Sequence, residues 1–260
     1  MSFLYKHVLL IGATSGIGAA MADHLIKSGV QVTAVGRRKE RLDEFVCRHG
    51  EKASRMVFDI AKLDEIPTFV SSVTTAYPTI DCIFLNAGIQ HRYDFAKPST
   101  LDLPRFHHEI TTNFLSFVAL THAFMPHLLS CSSPTGIIYT GTHLSLVPAY
   151  TMPAYSASKA ALDAFVISLR EQLNTSNIRV TSISAPPVQT ELHDFEMGIE
   201  AGRALGMPVE QFTHEAYLEL VRGNENIIIG GVGGSTKEQF LEIVERRKEA
   251  FERLGKLLRG

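Results

Sequence analysis

Cysteine is scarce in this chain: Cys47, Cys82 and Cys131 are the three among 260 residues, widely spaced and odd in number. They offer neither a disulfide framework nor a paired metal motif, so they read as reduced thiols in a reducing compartment. Long apolar runs are missing too, since no stretch reaches the roughly 18 residues a membrane-spanning helix needs. The opening MSFLYKHVLLIGATSGIG lacks the basic segment, apolar core and small-residue cleavage site of a signal peptide. A cytoplasmic protein with no membrane contact is expected. Positive charge is not in excess: 25 Lys and Arg stand against 27 Asp and Glu, a formal net charge of −2, which argues against a nucleic-acid partner. The 11 histidines form no HExxH and no Cys/His cluster, and in HHE at 107–109 neighbouring helical positions face apart, so no metal is expected. A GxSxG element is absent, which disfavours a serine hydrolase. With no repeat, low-complexity tract or linker, the chain reads as one domain over 1–260.

What is present is an alternation. Apolar, β-branched runs at 7–11, 30–35, 54–59, 81–85, 136–140, 178–184 and 226–229 are separated by helical patterns at 16–28, 39–49, 63–77, 103–130 and 153–174. Short strands that are apolar throughout belong to a parallel sheet covered on both faces, so the fold class is α/β, doubly wound, with seven strands. Right-handed crossovers then place the ligand crevice at the carboxyl ends of the strands. The segment 189–223 departs most from the alternation and follows a strand's carboxyl end, the position of a substrate lid; a packing insertion is the alternative. The tail 235–260 reads as a helix capped by Ser235, with Glu238 in the capping-box position. Its stripe of Phe240, Leu241, Val244, Phe251, Leu254 and Leu258 suits core or subunit contact better than a membrane surface.

Three features carry chemistry. IGATSGIG puts Gly12, Gly16 and Gly18 in the turn between the first strand and the first helix, where the absence of Cβ atoms permits a tight turn and the helix amino terminus attracts a pyrophosphate. At the end of the second strand, where a carboxylate would hold the ribose of NAD, stand Gly36, Arg37 and Arg38; guanidinium forks suit a 2′-phosphate, so NADP(H) is favoured over NAD(H). Lys39 and Arg41 fit a solvated start to the next helix. Tyr155 and Lys159 are four apart, on one helical face, and a phenol with an ordinary pKa near 10 needs such a cation to act as a base.

GATSGIG, LNAG at 85–88, TNFLS around Asn113 and YSASKAAL at 155–162 together resemble the motif series of the short-chain dehydrogenase/reductase family, in order and at its spacing over 6–229. NAGIQ, SLREQL, APPVQTEL and EAYLELVRG are similar to its DltE-like branch. The resemblance implies a Rossmann fold and an oxidoreductase interconverting a carbonyl and a secondary alcohol. It further implies that Gly12, Thr14, Ser15, Gly16, Ile17 and Gly18 line the diphosphate, Asp59 and Ile60 the adenine, and Asn86, Ala87 and Gly88 the ribose, with Val188 and Thr190 beside the nicotinamide. Tyr155 and Lys159 would also touch the cofactor. Asn113 would hold a water linking Lys159 to solvent, or be a buried amide satisfied by backbone. The family's substrate-orienting serine falls on Thr142, which keeps a hydroxyl but adds a methyl, so a narrower pocket or slower turnover is expected.

Ile11 replaces the usual threonine before the first glycine, and Ala185 and Pro186 stand where proline and glycine are usual. Tyr93, Tyr150, Phe195, Met197, Phe212 and Tyr217 are candidates for an apolar pocket, each equally suited to packing, and His143 beside Thr142 is a weaker candidate for substrate contact. The alternative function is an NADP(H)-binding regulatory or scaffold protein with little turnover. The partners implied are a small carbonyl or alcohol and a second copy of the chain, as homodimer or homotetramer.

Overall fold

The computed structural model describes residues 2–259; Met1 and Gly260, the ends of the expected domain and tail, lie outside the described residues. Seven strands, β1 (His7–Ile11), β2 (Gln31–Gly36), β3 (Ala53–Val57), β4 (Cys82–Leu85), β5 (Thr135–Thr142), β6 (Ile178–Ala185) and β7 (Asn226–Ile228), form one sheet in the order β3-β2-β1-β4-β5-β6-β7. Every pairing is parallel. The strand order reverses between β1 and β4, which opens a crevice at their carboxyl ends.

Helices α1 (Gly16–Lys27), α2 (Lys39–His49), α3 (Ile66–Ala76), α4 (Leu103–Ile110), α5 (Ser116–Ser130) and α6 (Pro153–Gln172) supply the crossovers. Side chains alternate along a strand, so each strand feeds both faces of the sheet. Val8 and Leu10 pack with Met21 and Leu25 of α1 and with Leu42 and Phe45 of α2. Leu9 and Ile11 pack with Phe69 and Val73 of α3, Phe117 and Phe124 of α5, and Leu162 and Val166 of α6. Burying each such side chain contributes about 1.5–3 kcal/mol, which fixes the crossovers on their faces and hence the strand ends beneath the crevice.

Several expectations need correction. β3 ends at Val57, because Phe58 turns out to stack on Phe69 at 4.0 Å, and Asp59 leaves the sheet to cap Ala61 N–H at 3.1 Å. The helix expected over 63–77 begins with a 3₁₀ turn at Leu63–Glu65. The single helix expected over 103–130 is broken by a π-helical segment, Thr111–Leu115, between α4 and α5. Such wide turns cluster at functional sites, and this one carries Asn113.

The segment 189–223 divides in two. Its first part holds a 3₁₀ turn (Glu191–His193), α7 (Asp194–Met197) and α8 (Ile199–Ala204) and lies over the crevice mouth. Its second part, α9 (Val209–Arg222), buries Phe212, Ala216 and Leu220 in the core beside α1, so there the packing alternative holds. A short parallel bridge between Val188 and Met207 separates the parts.

The carboxyl-terminal helix, α10 (Lys237–Arg259), is capped one residue later than expected. Thr236 Oγ1 accepts from Gln239 N at 3.4 Å, and Gln239 Oε1 accepts from Thr236 N at 2.9 Å. Of its apolar stripe Phe240 is buried, whereas Leu254 and Leu258 are 52% and 77% exposed, so core contact accounts for one end of the stripe alone. No helix among the described residues is long and apolar enough to cross a membrane.

Candidate functional site

The crevice begins where the backbone leaves β1. Val35 O accepts from the N–H of Gly12 at 2.9 Å and of Ala13 at 3.0 Å, while Ile11 O accepts from Asn86 N at 2.9 Å and Ala87 N at 3.0 Å. This lacing makes the turn tight: Gly12 has φ +89°, and a Cβ there would sit 2.6 Å from Ala87 Cα. Gly18 is not at the crevice surface; inside α1 it lets the helix close on Gly12 O and the Asn86 amide. Asn86 joins three strand ends, donating from Nδ2 to Gly12 O at 3.2 Å and accepting from the Thr140 hydroxyl at 2.9 Å. At the start of α1, Ser15 makes no side-chain cap and the first turn carries no acidic residue. The free N–H groups and positive end of the helix therefore face the cavity, a ready anion site.

Beyond the turn lies a cluster of arginines. Arg38 donates from Nε to Thr14 Oγ1 at 3.0 Å, from one terminal nitrogen to Thr14 Oγ1 at 2.8 Å and Ser15 Oγ at 2.5 Å, and from the other to Glu191 Oε2 at 2.6 Å. Arg41 reaches Glu191 Oε1 at 2.7 Å and Thr14 O at 3.1 Å, and Arg203 stands 3.6 Å from the same carboxylate. Arg41 is thus part of the cluster rather than a solvated helix start. These partners hold the Glu191 carboxyl below its ordinary pKa despite an opposing desolvation effect, the largest single influence. Arg37 is freer, 60% exposed and 3.9 Å from Asp59. Sequence reasoning missed Glu191, whose hydrogen-bonded partners Arg38 and Arg41 lie 153 and 150 positions away.

The third group stands at the carboxyl end of β5 and the start of α6. Tyr155 and Lys159 share one helical face and are 7% and 3% exposed. Burial raises the Tyr155 phenol well above its ordinary pKa, the charge of Glu109 adds to this, and a hydrogen bond with Thr142 opposes it. Burial also lowers Lys159 to about 8. Its Nζ donates to Thr140 O at 2.9 Å and lies 6.0 Å from the Tyr155 ring centre, so within the protein it is Thr142 that eases ionisation of the phenol. Thr142 Oγ1 also accepts from Leu144 N at 3.3 Å.

Asn113 is fully buried in the π-helical segment and makes a two-way bridge to Ile89, its Oδ1 accepting from N and its Nδ2 donating to O, both at 2.9 Å; Nδ2 also reaches Ser158 Oγ at 3.2 Å. That is the backbone-satisfied amide. His143 bonds Ser184 Oγ at 2.8 Å and Gly230 O at 3.1 Å through its two ring nitrogens, and Phe240 packs 4.3 Å from it. With both nitrogens engaged it is a tether between β5, β6 and α10 rather than a substrate contact.

All three groups open into one cavity of about 610 Å³. Its wall includes Gly12, Thr14, Ser15, Gly16, Ile17, Arg37, Arg38, Asp59, Ile60, Asn86, Ala87, Gly88, Thr142, Tyr155, Lys159, Val188 and Thr190; of the expected site residues, Gly18 and Asn113 lie behind it. Thr190 backs onto Gly16, where an added Cβ would meet it at 3.1 Å, and Pro186 lines the cavity beside it. Among the apolar candidates, Phe195 and Met197 reach the cavity, Phe212 is core, Tyr217 packs on Phe3 and His24, and Tyr150 is 93% exposed. Tyr93 stands behind the wall, bonded to Glu109 at 3.1 Å. Glu109 itself is fully buried.

Comparison with known proteins agrees with this architecture. Residues 6–197 match the family model described as short chain dehydrogenase. An uncharacterized oxidoreductase, DltE, of Bacillus subtilis (strain 168) is 28% identical over 95% of this chain and 98% of its own. Serine 3-dehydrogenase of Agrobacterium fabrum (strain C58) is 30% identical over 71% of this chain and 72% of its own. Among solved structures, the closed form of a serine dehydrogenase complexed with NADP+ superposes with a TM-score of 0.77 at 25% identity, covering 88% of this chain and 96% of that one. With the strand order, the glycine turn and the Tyr155–Lys159 face all in place, the chain belongs to the short-chain dehydrogenase family.

Proposed function

We propose that the protein is an NADP(H)-dependent oxidoreductase that interconverts a carbonyl and a secondary alcohol. The observation that carries this reading is that Tyr155 and Lys159 open into the same cavity as the glycine turn and the arginine cluster. The residues fit the cofactor: the turn at Gly12 forms a cradle that a Cβ would fill, and the amino end of α1 is uncapped. In this reading Gly12, Thr14, Ser15, Gly16 and Ile17 hold the diphosphate, Asp59 and Ile60 the adenine, Asn86, Ala87 and Gly88 the adjoining ribose, and Val188 and Thr190 the nicotinamide side. Arg37 and Arg38 face the 2′-phosphate, with Arg41 in support.

When bound, the nicotinamide supplies or accepts the hydride. The protein handles the proton. Tyr155, kept protonated by its burial, donates its phenolic hydrogen to the oxygen of a carbonyl substrate, and takes one back in the reverse direction. Thr142 orients that oxygen. Lys159, anchored on Thr140 O, provides the positive field that stabilises the phenolate once the proton has left. Asn113 ties the segment after β4 to α6 through Ile89 and Ser158. The same reading places the protein in the cytoplasm as a homodimer or homotetramer, with the faces of α5 and α6 as contacts; Leu115 and Leu129 beside them are 42% and 50% exposed.

The test is titration with NADPH and NADH, followed by an NADPH-oxidation screen over aldehydes, ketones and diketones. Selective NADPH binding with turnover of a carbonyl is expected, and Arg38→Ala should weaken NADPH by at least about tenfold, about 1.4 kcal/mol, with little effect on NADH. Equal affinities for the two nucleotides would overturn the cofactor assignment. Selective binding without turnover across a broad panel would favour the regulatory alternative.

A further inference from the structure

A buried histidine is bonded to the chain directly after Thr142, and the proposed reaction gives it no part. Thr142 and Ala185 are the last paired residues of β5 and β6, so the sheet ladder stops at the residue whose hydroxyl meets Tyr155. The chain then enters a 3₁₀ turn, His143–Ser145, which lies against α6 and is closed on itself. Ser145 Oγ donates to Thr142 O at 2.7 Å, and His143 O accepts from Leu146 N at 3.0 Å and Val147 N at 3.1 Å. Toward β6 and β7 the turn is fastened by the His143 side chain, which has no exposed surface. Its Nδ1 lies 2.8 Å from Ser184 Oγ on β6, and its Nε2 lies 3.1 Å from Gly230 O, just past β7. Ser184 O in turn accepts from Ile229 N at 3.2 Å, so the imidazole joins three strand ends. Phe240, the one buried residue of α10 among those described, packs on the ring at 4.3 Å.

The partners settle the roles of the two nitrogens. A carbonyl oxygen only accepts, so Nε2 carries a hydrogen whatever the charge on the ring. Burial, the largest influence, holds the imidazole below its ordinary pKa against the opposing bonds with the backbone at Gly230 and Ile229, so at neutral pH Nδ1 accepts from the Ser184 hydroxyl. That hydroxyl can turn to serve either state of Nδ1, and the arrangement holds in both. Thr142 is extended, with φ −153° and ψ 157°, so its side chain and that of His143 leave the backbone on opposite sides. Two directional bonds and a packed ring fix the peptide unit between them. They thereby fix the direction of the Thr142 Cα–Cβ bond and, because a β-branched side chain is restricted at χ1, the line along which its hydroxyl points. A phenylalanine could fill the same space against Phe240, but it would leave that direction unset.

We propose that His143 is a positioning residue for the reaction: anchored on Ser184 and Gly230 and backed by Phe240, it aims the Thr142 hydroxyl at the Tyr155 phenol and the substrate oxygen. The carboxyl-terminal helix thereby becomes part of the support of the site, because the residue on which it docks is the residue that sets Thr142. The catalytic consequence rests on the reductase reading above; the orientation of Thr142 does not.

A double-mutant cycle separates positioning from packing. With a carbonyl turned over in the NADPH-oxidation screen, His143→Phe should lower kcat at least about tenfold while KM for NADPH stays within about twofold. In a Thr142→Ala background, which has no hydroxyl to aim, the same substitution should change kcat by less than about twofold. His143→Gln, which keeps an N–H for Gly230 O, should restore part of the loss. If His143→Phe folds poorly, Ser184→Ala removes one anchor from outside the ring and should lower kcat about threefold, again only with the Thr142 hydroxyl present. An unchanged kcat, or an equal loss with and without that hydroxyl, overturns the proposal. Independently of turnover, three-bond NMR couplings from the Thr142 methyl carbon to its own amide nitrogen and carbonyl carbon should report one staggered χ1 well in the wild type. The same couplings should report averaging over wells in His143→Phe and Ser184→Ala. A single well unchanged in the variants also overturns the proposal. No turnover of any carbonyl would count against the reductase reading, while the couplings still decide whether His143 positions Thr142.

Discussion

At the proposed nucleotide end of the cavity the groups on offer are mostly backbone: the laced turn after β1, the uncapped start of α1, and carbonyls shared between strand ends. At the proposed substrate end they are side chains gathered from distant elements, with Tyr155 from α6, Thr142 from β5, and Phe195 from the segment over the mouth. Backbone recognition tolerates few substitutions, since a Cβ added at Gly12 or Gly18 meets main chain. Side-chain recognition can be exchanged residue by residue. One cavity can therefore keep its cofactor while its substrate varies, and the difference between the ends can be tested by breaking each separately.

The largest separation should come from Tyr155→Phe, which removes the proposed proton donor: turnover should fall by about 10²–10⁴ while NADPH affinity stays within about twofold. Fluorescence titration beside steady-state kinetics reads both, and a parallel loss of affinity would show that the two ends are not independent. Gly12→Val strikes the opposite end. With φ at +89° and the Cβ against Ala87, it should weaken NADPH binding by more than about tenfold and lower the melting temperature.

A pH scan of apoprotein stability addresses the buried cation between the two ends. Burial lowers Lys159 to about 8 in the fold, against an ordinary value of 10.5 for a solvated lysine. Between those values the unfolded chain binds the extra proton, so this group makes stability rise with pH through that window. Denaturant titrations at several pH values should show the rise in the wild type and lose it in Lys159→Met. A smaller effect is expected from Glu191→Gln. Releasing Arg38 and Arg41 from their protein partner should tighten NADPH by about threefold while leaving NADH unchanged. Smallest of all, Thr142→Ser preserves the hydroxyl and removes one methyl, and should change kcat by no more than about threefold.

The sequence was most readable where local rules govern. Leu9, Leu10 and Ile11 announce a buried strand, Gly12 and Gly16 the turn, and Tyr155 and Lys159 a helical face, because each pattern is contained within a few residues. It was least readable where an outcome depends on remote partners. Glu109 carries no local sign of burial, since it is enclosed by His91 and Tyr93 from another segment. The π-helical turn around Asn113 is a shift in backbone pairing that leaves the apolar period of 103–130 nearly intact. At the tail, Ser235/Glu238 and Thr236/Gln239 both have the spacing of a capping box, and local geometry selected the second. Within 189–223, one stretch of mixed composition supplies both a cover for the cavity and α9, a core helix, and only the packing of Phe212 tells them apart.

The Arg38–Glu191 contact spans 153 positions of chain. A ribosome will have finished the glycine turn and both arginines long before it reaches the residue that meets them. Until then the nascent chain exposes an unneutralised cationic patch with half a cleft around it. Completion of the cleft is thus a late event in the life of each molecule, and a nucleotide that requires both walls would recognise the finished product in preference to any of its precursors.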